Sequence, residues 1–228
     1  MKFYYLFIYL ISMQVVGQNN FEKAEKLFSE NKLSDAKKLF ETHLKSNPKN
    51  YKTMEYLGDI AGKEKKWDDA LLHYEKLKTT FPSNANYHYK YGGALGMKAK
   101  SINKFKALSL ISDVENAFLT ATKLDTKHIE ARWALVQFYI ELPAIVGGSE
   151  VKAQKIADQL MLLSKVDGYL SKGYIDVYFK RYSKAEMNYK KAHELGNSKT
   201  TFEKLYDLYL NKIQDKAKAA KLKEQFEK

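Results

Sequence analysis

The sequence predicts an all-α protein assembled from repeated helix pairs. Apolar residues recur at helical spacing along most of the 228 residues, as expected when each helix buries one face. Only 3 prolines are present, so long helices are possible almost anywhere. An alanine, an aromatic residue and a proline recur 34 residues apart, at Ala36, Phe40 and Pro48 and again at Ala70, Tyr74 and Pro82. A fixed period of this length indicates an array of similar units.

The most regular unit is Tyr51–Pro82, which has the pattern of two helices joined by a short turn. Its first helix is predicted over roughly Tyr51–Lys63 and the second is expected to begin near Asp68, a good N-cap residue. Neither helix can bury its apolar stripe alone, so the unit requires neighbours. The two stripes consist of Met54, Leu57, Gly58 and Ala61, and of Ala70, Tyr74 and Leu77.

A second signature marks the start of the second helix in three units. Its form is a basic residue, a bulky apolar residue, a capping residue, any residue and an alanine, at Lys32–Ala36, Lys66–Ala70 and Arg181–Ala185. The expected N-caps are Ser34, Asp68 and Ser183. Ser183 with Glu186 is further predicted to form a capping box.

The third unit departs from the period. Its first helix is predicted over Asn84–Met97, and an insertion follows at Met97–Ser109. Ser101 is expected to cap one long helix that runs to about Thr122, because apolar residues continue at helical spacing from Ile102 onward.

The fourth and fifth units return to helix pairs. After the helix predicted over Ile129–Glu141, a loop at Pro143–Gly148 ends it, because proline cannot continue a helix. The remaining helices are expected over Glu150–Ser164 (capped by Ser149), Asp167–Phe179, Ser183–Leu195 (ended by Gly196 and Asn197), about Thr201–Asn211 and Asp215–Lys228. The last pair is polar toward its end, which suits an element that closes the array.

The N-terminus, Met1–Gly17, has the pattern of a secretory signal peptide. Lys2 precedes an unbroken apolar run, and Gly17 supplies a small residue for cleavage. The apolar run is shorter than the roughly 20 residues of a membrane span. We therefore expect an exported protein, periplasmic or secreted, with no stable membrane span after cleavage; an uncleaved anchor and, less favoured, a buried core helix are the alternatives.

Composition limits the chemistry. Cysteine is absent, which excludes disulfides and thiolate metal sites. The formal net charge is +12, but 37 of the 39 basic residues are lysines spread along the chain, whereas phosphate recognition favours arginine. Nucleic acid is therefore not the expected partner, and weak attraction to acidic surfaces stays open.

Motifs for catalysis or for cofactors are not found. The five histidines form no metal-binding pair, and there is no P-loop or nucleophile elbow. Gly147 and Gly148 precede a helix, which is compatible with phosphate binding, but a structural turn explains them better. We predict no catalytic residue, no metal and no cofactor.

Residues 19–195 resemble a bacterial tetratricopeptide repeat protein. The resemblance rests on Leu57–Gly58, Ala70, Tyr74 and Pro82 at that family's own offsets. It implies a right-handed α-solenoid of about five helix pairs plus a C-terminal capping pair. A single domain over residues 18–228 is expected, with units at about 19–48, 49–82, 83–126, 127–164 and 165–196 and a cap at 197–228. The Pro-x-x-x-Gly-Gly loop is similar to one in a subset of exported repeat proteins.

The resemblance also implies a working surface, the concave groove lined by the first helix of each unit. The family's second, fifth and ninth positions of that helix face the groove, which here selects Lys52, Glu55, Asp59, Asn86, Tyr89, Gly93, Glu130, Trp133 and Gln137. Trp133 and Tyr89 are the candidate anchors, because aromatic side chains dominate binding hot spots; packing within the array is the alternative. Glu55 and Asp59 break the family's carboxylate-clamp pattern, so an adaptor for chaperone tails is not supported.

These observations favour a non-enzymatic interaction scaffold of the cell envelope that binds an unidentified protein or peptide. The alternative is a solute-binding accessory of an envelope transport system, with a pocket at the insertion and the Pro143–Gly148 loop. A third reading is electrostatic binding to nucleic acid or an anionic polymer. The oligomeric state stays open.

Overall fold

The computed structural model describes residues 20–227, and all regular structure in that range is helical. The predicted signal peptide Met1–Gly17 lies outside the described residues. In chain order the helices are α1 (residues 20–29), α2 (Leu33–Ser46), α3 (Tyr51–Lys63), α4 (Trp67–Thr80), α5 (Ala85–Ser101), α6 (Lys104–Leu108), α7 (Ile111–Leu124), α8 (Ile129–Glu141), α9 (Glu150–Leu163), α10 (Lys165–Tyr178), α11 (Tyr182–Gly196), α12 (Lys199–Asp207) and α13 (Lys216–Phe226).

The chain divides into two compact units, the first ending at Leu110 and the second beginning at Ile111. In the first unit, α3 packs against α2 and α4, and α4 packs against α5. In the second, each helix from α7 to α11 packs against the next one along the chain. This consecutive packing confirms the predicted architecture of helix pairs, whose first members we call A helices and second members B helices. The single domain expected over residues 18–228 stays a prediction.

The cores follow the predicted apolar stripes. In the Tyr51–Pro82 pair, Leu57, Ala61, Ala70, Tyr74 and Leu77 are all buried. Phe40 occupies the equivalent position to Tyr74 in the preceding pair and is fully buried. The predicted stripes of the Tyr51–Pro82 pair are therefore confirmed as core, with Met54 half-buried at their edge.

Three of the turns that join an A helix to its B helix share one backbone geometry. Asn31, Lys65 and Lys180 are left-handed, with φ of 59°, 59° and 57°. Each donates its N–H to the carbonyl three residues earlier, and the residue after it donates to the carbonyl five residues earlier. These are the bonds of a Schellman motif, which satisfies the last carbonyls of the A helix.

This geometry makes the predicted N-caps Ser34, Asp68 and Ser183 wrong. Each B helix begins at the bulky apolar residue of the signature, and its N-cap is the basic residue, two positions before the predicted cap and without a side-chain capping bond. The reason is that the Schellman turn leads directly into the helix, so the basic residue's carbonyl accepts the first helical bond from the signature alanine. The predicted capping box is also wrong, because the Glu186 carboxylate accepts from the Tyr209 hydroxyl at 3.1 Å instead.

The long helix predicted after Ser101 is wrong as well. Helix α5 continues through Ser101, and the chain then forms the short helix α6, whose N-cap Asn103 accepts a bond from the Lys106 N–H. A turn at 109–110 separates α6 from α7. Phe105 is 87% exposed, so the apolar residues of this insertion do not form the continuous buried stripe that a long helix requires.

The Pro143–Gly148 loop forms as predicted and its two glycines have different roles. Helix α8 ends at Glu141, and a single 3-10 turn at Ala144–Val146 follows. Gly147 has a φ of 105°, a conformation that side chains disfavour. A Cβ on Gly148 would lie 1.9 Å from the Leu142 carbonyl oxygen. Ser149 then caps α9 by accepting from the Lys152 N–H, as predicted.

The C-terminal helices differ from the prediction in their bounds. Helix α10 begins at Lys165 with Ser164 as its N-cap, so Asp167 lies in its first turn. Helix α12 passes into a π-helical segment at Leu208–Ile213, and Asp215 caps α13. The helix end at Gly196 is confirmed, with Asn197 in the left-handed conformation.

Gly58 tests how closely the two helices of a pair must approach. A Cβ at Gly58 would lie 2.6 Å from a ring carbon of Tyr74, and that ring is held by a 2.6 Å hydrogen bond to Asp59. We expect Gly58→Ala to lower the free energy of unfolding by about 1–3 kcal/mol through overpacking. The control is Gly93→Ala in α5, where no atom lies within 4 Å of the new Cβ and a gain of about 0.5–1 kcal/mol is expected. Urea unfolding measures the free energy of unfolding of both variants. Equal changes in the two variants would contradict the packing argument.

Candidate functional site

The nine predicted groove residues lie on the A helices α3, α5 and α8. Six of them belong to the first unit and three to the second. The two groups differ in character, because the first forms a charge cluster and the second borders a cleft.

In the first unit, Lys90 forms ion pairs with both predicted carboxylates. Its ammonium group donates to Glu55 and Asp59, at 2.7 Å from an oxygen of each. The Tyr74 hydroxyl also donates to Asp59, at 2.6 Å, and burial with this carboxylate raises the pKa of Tyr74 well above its usual value. Glu55 and Asp59 are thus engaged within the protein, and Lys90 was missed by sequence reasoning.

The other first-unit residues surround this cluster. Asn86 donates to Glu55 at 3.4 Å. The exposed Lys52 places its ammonium 5.4 Å from the ring centroid of Tyr56. Burial and a hydrogen bond to Glu25 raise the pKa of Tyr56 to about 12. Tyr89 and Gly93 are half-buried on α5, so this face of the first unit presents polar groups that are largely paired with one another.

In the second unit, hydrogen bonds hold two aromatic rings in place. The Trp133 indole N–H donates to Asp167 at 2.8 Å, and the Tyr174 hydroxyl donates to Glu141 at 2.8 Å. The two rings meet edge to face, with centroids 6.4 Å apart. Burial and the Glu141 carboxylate raise the pKa of Tyr174. Trp133 therefore packs within the array, and its ring also borders open space, while its role as a binding anchor stays a prediction.

That space is a cleft of about 200 Å³, which we call the Trp133 cleft. Its floor includes the buried side chains of Leu170 and Tyr189. Among residues 20–227, Lys204 on its border has no ion-pair partner. The full lining comprises Trp133, Gln137, Asp167, Leu170, Tyr174, Tyr189, Thr200 and Lys204. The cleft thus combines an apolar floor, two fixed aromatic walls and a polar border.

The cleft contains two of the three residues predicted in this unit. Trp133 and Gln137 line it, whereas Glu130 is exposed and its carboxylate lies 3.1 Å from the ring of His128 instead. Asp167 was missed, although it stands 34 residues after Trp133 and the repeat period points to it. Lys204 was missed because no motif marks it.

Among the described residues there is neither a three-residue metal cluster nor a helix suited to spanning a membrane. Between residues 20 and 227, no group of three or more histidine, aspartate or glutamate side chains is arranged to hold a metal ion. Within the same range, no helix combines the length and apolar character needed to cross a bilayer.

Comparison with known proteins shows the fold. No family model and no curated protein matches the sequence. A thermophilic tetratricopeptide repeat protein from Thermus thermophilus is 17% identical, with a TM-score of 0.66 over 90% of this chain and 98% of that one. PilW, a widely conserved type IV pilus biogenesis factor, is 15% identical, with a TM-score of 0.66 over 92% of this chain and 91% of that one.

A third similar structure is YrrB, described as a tetratricopeptide repeat protein with an unusual peptide-binding site. It is 16% identical, with a TM-score of 0.52 over 80% of this chain and 87% of that one. Together these likenesses confirm the predicted all-α, solenoid-type fold of tetratricopeptide-like helix pairs. At this level of identity they show the fold alone.

The charge cluster of the first unit is testable through Lys90. Replacing Lys90 with Met leaves the Glu55 and Asp59 carboxylates without their shared cation in a half-buried position. We expect the free energy of unfolding to fall by about 1–3 kcal/mol. Lys98→Met is the control, because its partner Asp68 is 81% exposed and such surface pairs contribute at most about 1 kcal/mol. Denaturant titration measures the free energy of unfolding of both variants. A smaller loss for Lys90→Met than for Lys98→Met would refute the stabilising role of the cluster.

Proposed function

We propose that the protein is a non-enzymatic protein–protein interaction scaffold that binds a peptide or protein segment at the Trp133 cleft. The observation that carries the proposal is the pair of aromatic rings fixed by hydrogen bonds beside an apolar floor. Rings that are already held in one orientation lose little conformational freedom on binding. Such aromatic groups in desolvated pockets are the usual anchors of protein interfaces.

The size of the cleft favours a peptide side chain over a whole solute. Pockets for small molecules usually measure about 300–1,000 Å³, whereas this cleft measures about 200 Å³. Thr200 and Gln137 on its border supply hydrogen-bonding groups for a peptide backbone outside the pocket. At this cleft, the comparison favours one side chain of a peptide as the occupant.

The proposed location is the bacterial cell envelope, reached by export. Support comes from the signal-peptide pattern of Met1–Gly17. PilW, a type IV pilus biogenesis factor, has a similar fold, and this agrees with an envelope role without assigning that role here. Cleavage after Gly17 removes Lys2 and leaves a formal net charge of +11, one less than that of the full chain. Mass measurement of the N-terminal peptide from native cells tests the cleavage.

The binding proposal is tested by capture of partners from native envelope extract. We expect Trp133→Ala to reduce capture of the specific partner at least about tenfold, the effect of losing a hot spot. Tyr178→Ala is the control, because Tyr178 lies on the same helix as Tyr174, is 48% exposed and does not line the cleft. Quantitative mass spectrometry measures capture, and circular dichroism verifies that each variant remains helical.

A photo-crosslinking amino acid locates the contact directly. Placed at Gln137 on the cleft border, it is expected to form a covalent adduct with the captured partner. Placed at the exposed Gln225 of α13, outside the lining, it serves as the control. Undiminished capture by Trp133→Ala, with adducts from Gln225 and none from Gln137, would sink the assignment of the cleft.

A further inference from the structure

The first unit contains a cavity that is larger than the Trp133 cleft of the second unit. It lies on one face of α3. It measures about 720 Å³ and runs between α2 and α4, with Leu57 and Ala61 of α3 at its base. Its walls include Leu44 of α2 and Leu72 of α4. We call it the α2–α4 groove. At about 100° per residue, Leu57 and Ala61 point away from Glu55 and Asp59, so the groove lies opposite the predicted groove residues of this unit.

The groove is apolar where it is deepest. Leu57 and Ala61 are buried beneath it, while Leu72 on its wall is 70% exposed. Covering this leucine would remove exposed apolar surface from water, which is favourable. Binding of a partner that presents apolar side chains to this groove is therefore favoured.

The walls select a helical occupant. They are the sides of α2 and α4, whose backbone N–H and C=O groups are already bonded within each helix. An extended peptide lying in the groove would leave the backbone groups that face the helical walls without partners. A helix satisfies its own backbone and presents only side chains, which is the recognised helix-in-groove mode.

Two unpaired charges at the ends of the groove set the direction of that helix. Lys45 lies in the last turn of α2 and Asp69 in the first turn of α4. Within residues 20–227 neither Lys45 nor Asp69 has an ion-pair partner. Lys37 and Glu41, which lie between the two ends, form an ion pair with Nζ and Oε1 3.9 Å apart. Because each short turn reverses the chain, α2 and α4 run in the same direction. With the 34-residue period, Lys45 stands ten positions beyond the equivalent of Asp69, about 15 Å along the axis.

We propose that the α2–α4 groove docks an amphipathic helix of a partner protein, antiparallel to α2 and α4. Its apolar stripe covers Leu57 and Leu72. An acidic residue near its N-terminus faces Lys45, and a basic residue about ten positions later faces Asp69, at about 1.5 Å per residue. This polarity also suits the partner helix itself, since acids stabilise helix N-termini and bases stabilise C-termini.

The probe for the test is a displayed library of 18-residue helix-forming peptides with a leucine stripe and randomised acidic and basic positions. It is selected for binding to the full chain. The retained peptides are expected to carry the acid near the N-terminus and the base about ten positions later. Leu72→Lys should weaken their binding at least about tenfold. Leu162→Lys is the matched control, because Leu162 is 88% exposed and lies on α9 of the second unit.

Charge reversal tests the direction. In the double variant Lys45→Glu with Asp69→Lys, the preference should invert, so that peptides with the base near the N-terminus now bind more tightly. A selection that yields no binder sensitive to Leu72→Lys overturns the docking site. Binders that depend on Leu72 but keep their preference after charge reversal overturn the proposed orientation and charge pattern. Neither result bears on the Trp133 cleft, whose test uses different residues.

Discussion

A tyrosine of the B helix lies against a glycine of the A helix in both compact units. At Gly58 and Tyr74, and again at Gly173 and Tyr189, an added Cβ would come within 2.6 Å and 2.3 Å of the ring. The absence of a side chain lets the aromatic ring fill the space between the two helix backbones, where it is buried. Each pair thereby acquires one fixed separation, and the apolar stripes beside it meet in register.

Neighbouring pairs are joined by polar bonds at nearly the repeat distance. Lys90 reaches Asp59, Trp133 reaches Asp167, and Tyr174 reaches Glu141, at sequence separations of 31, 34 and 33 residues. These bonds lie at the partly exposed border of the A helices, where hydrophobic contact alone would leave the angle between pairs loosely defined. In the first unit, such bonds pair the Glu55 and Asp59 carboxylates with Lys90. In the second they hold aromatic rings still, and this difference is why the binding proposal concerns the second unit.

The sequence was informative where burial decides the structure and misleading where backbone geometry decides it. The bounds of α3 and α8 follow from apolar periodicity, and Ser149 caps α9 with its side chain, as its residue type predicts. Ser34, Asp68 and Ser183 carry the same chemical signal, yet the Schellman turn already supplies the helix start. Asp167 was predictable as a neighbour of Trp133 from the 34-residue period that separates them. Lys204 was not, because its position depends on the left-handed Asn197 and on the start of α12 that follows it.

The Schellman turn shared by Asn31, Lys65 and Lys180 makes duplication of a helix pair structurally simple. Each turn satisfies the end of one helix and provides the start of the next with backbone bonds, without help from a particular side chain. A genetic duplication that copies one pair from turn to turn therefore brings a complete junction with it. The left-handed lysines carry a cost of roughly 1–2 kcal/mol relative to glycine. That the turn accommodates lysine there indicates that its backbone bonds outweigh the strain, so glycine is not required at these junctions.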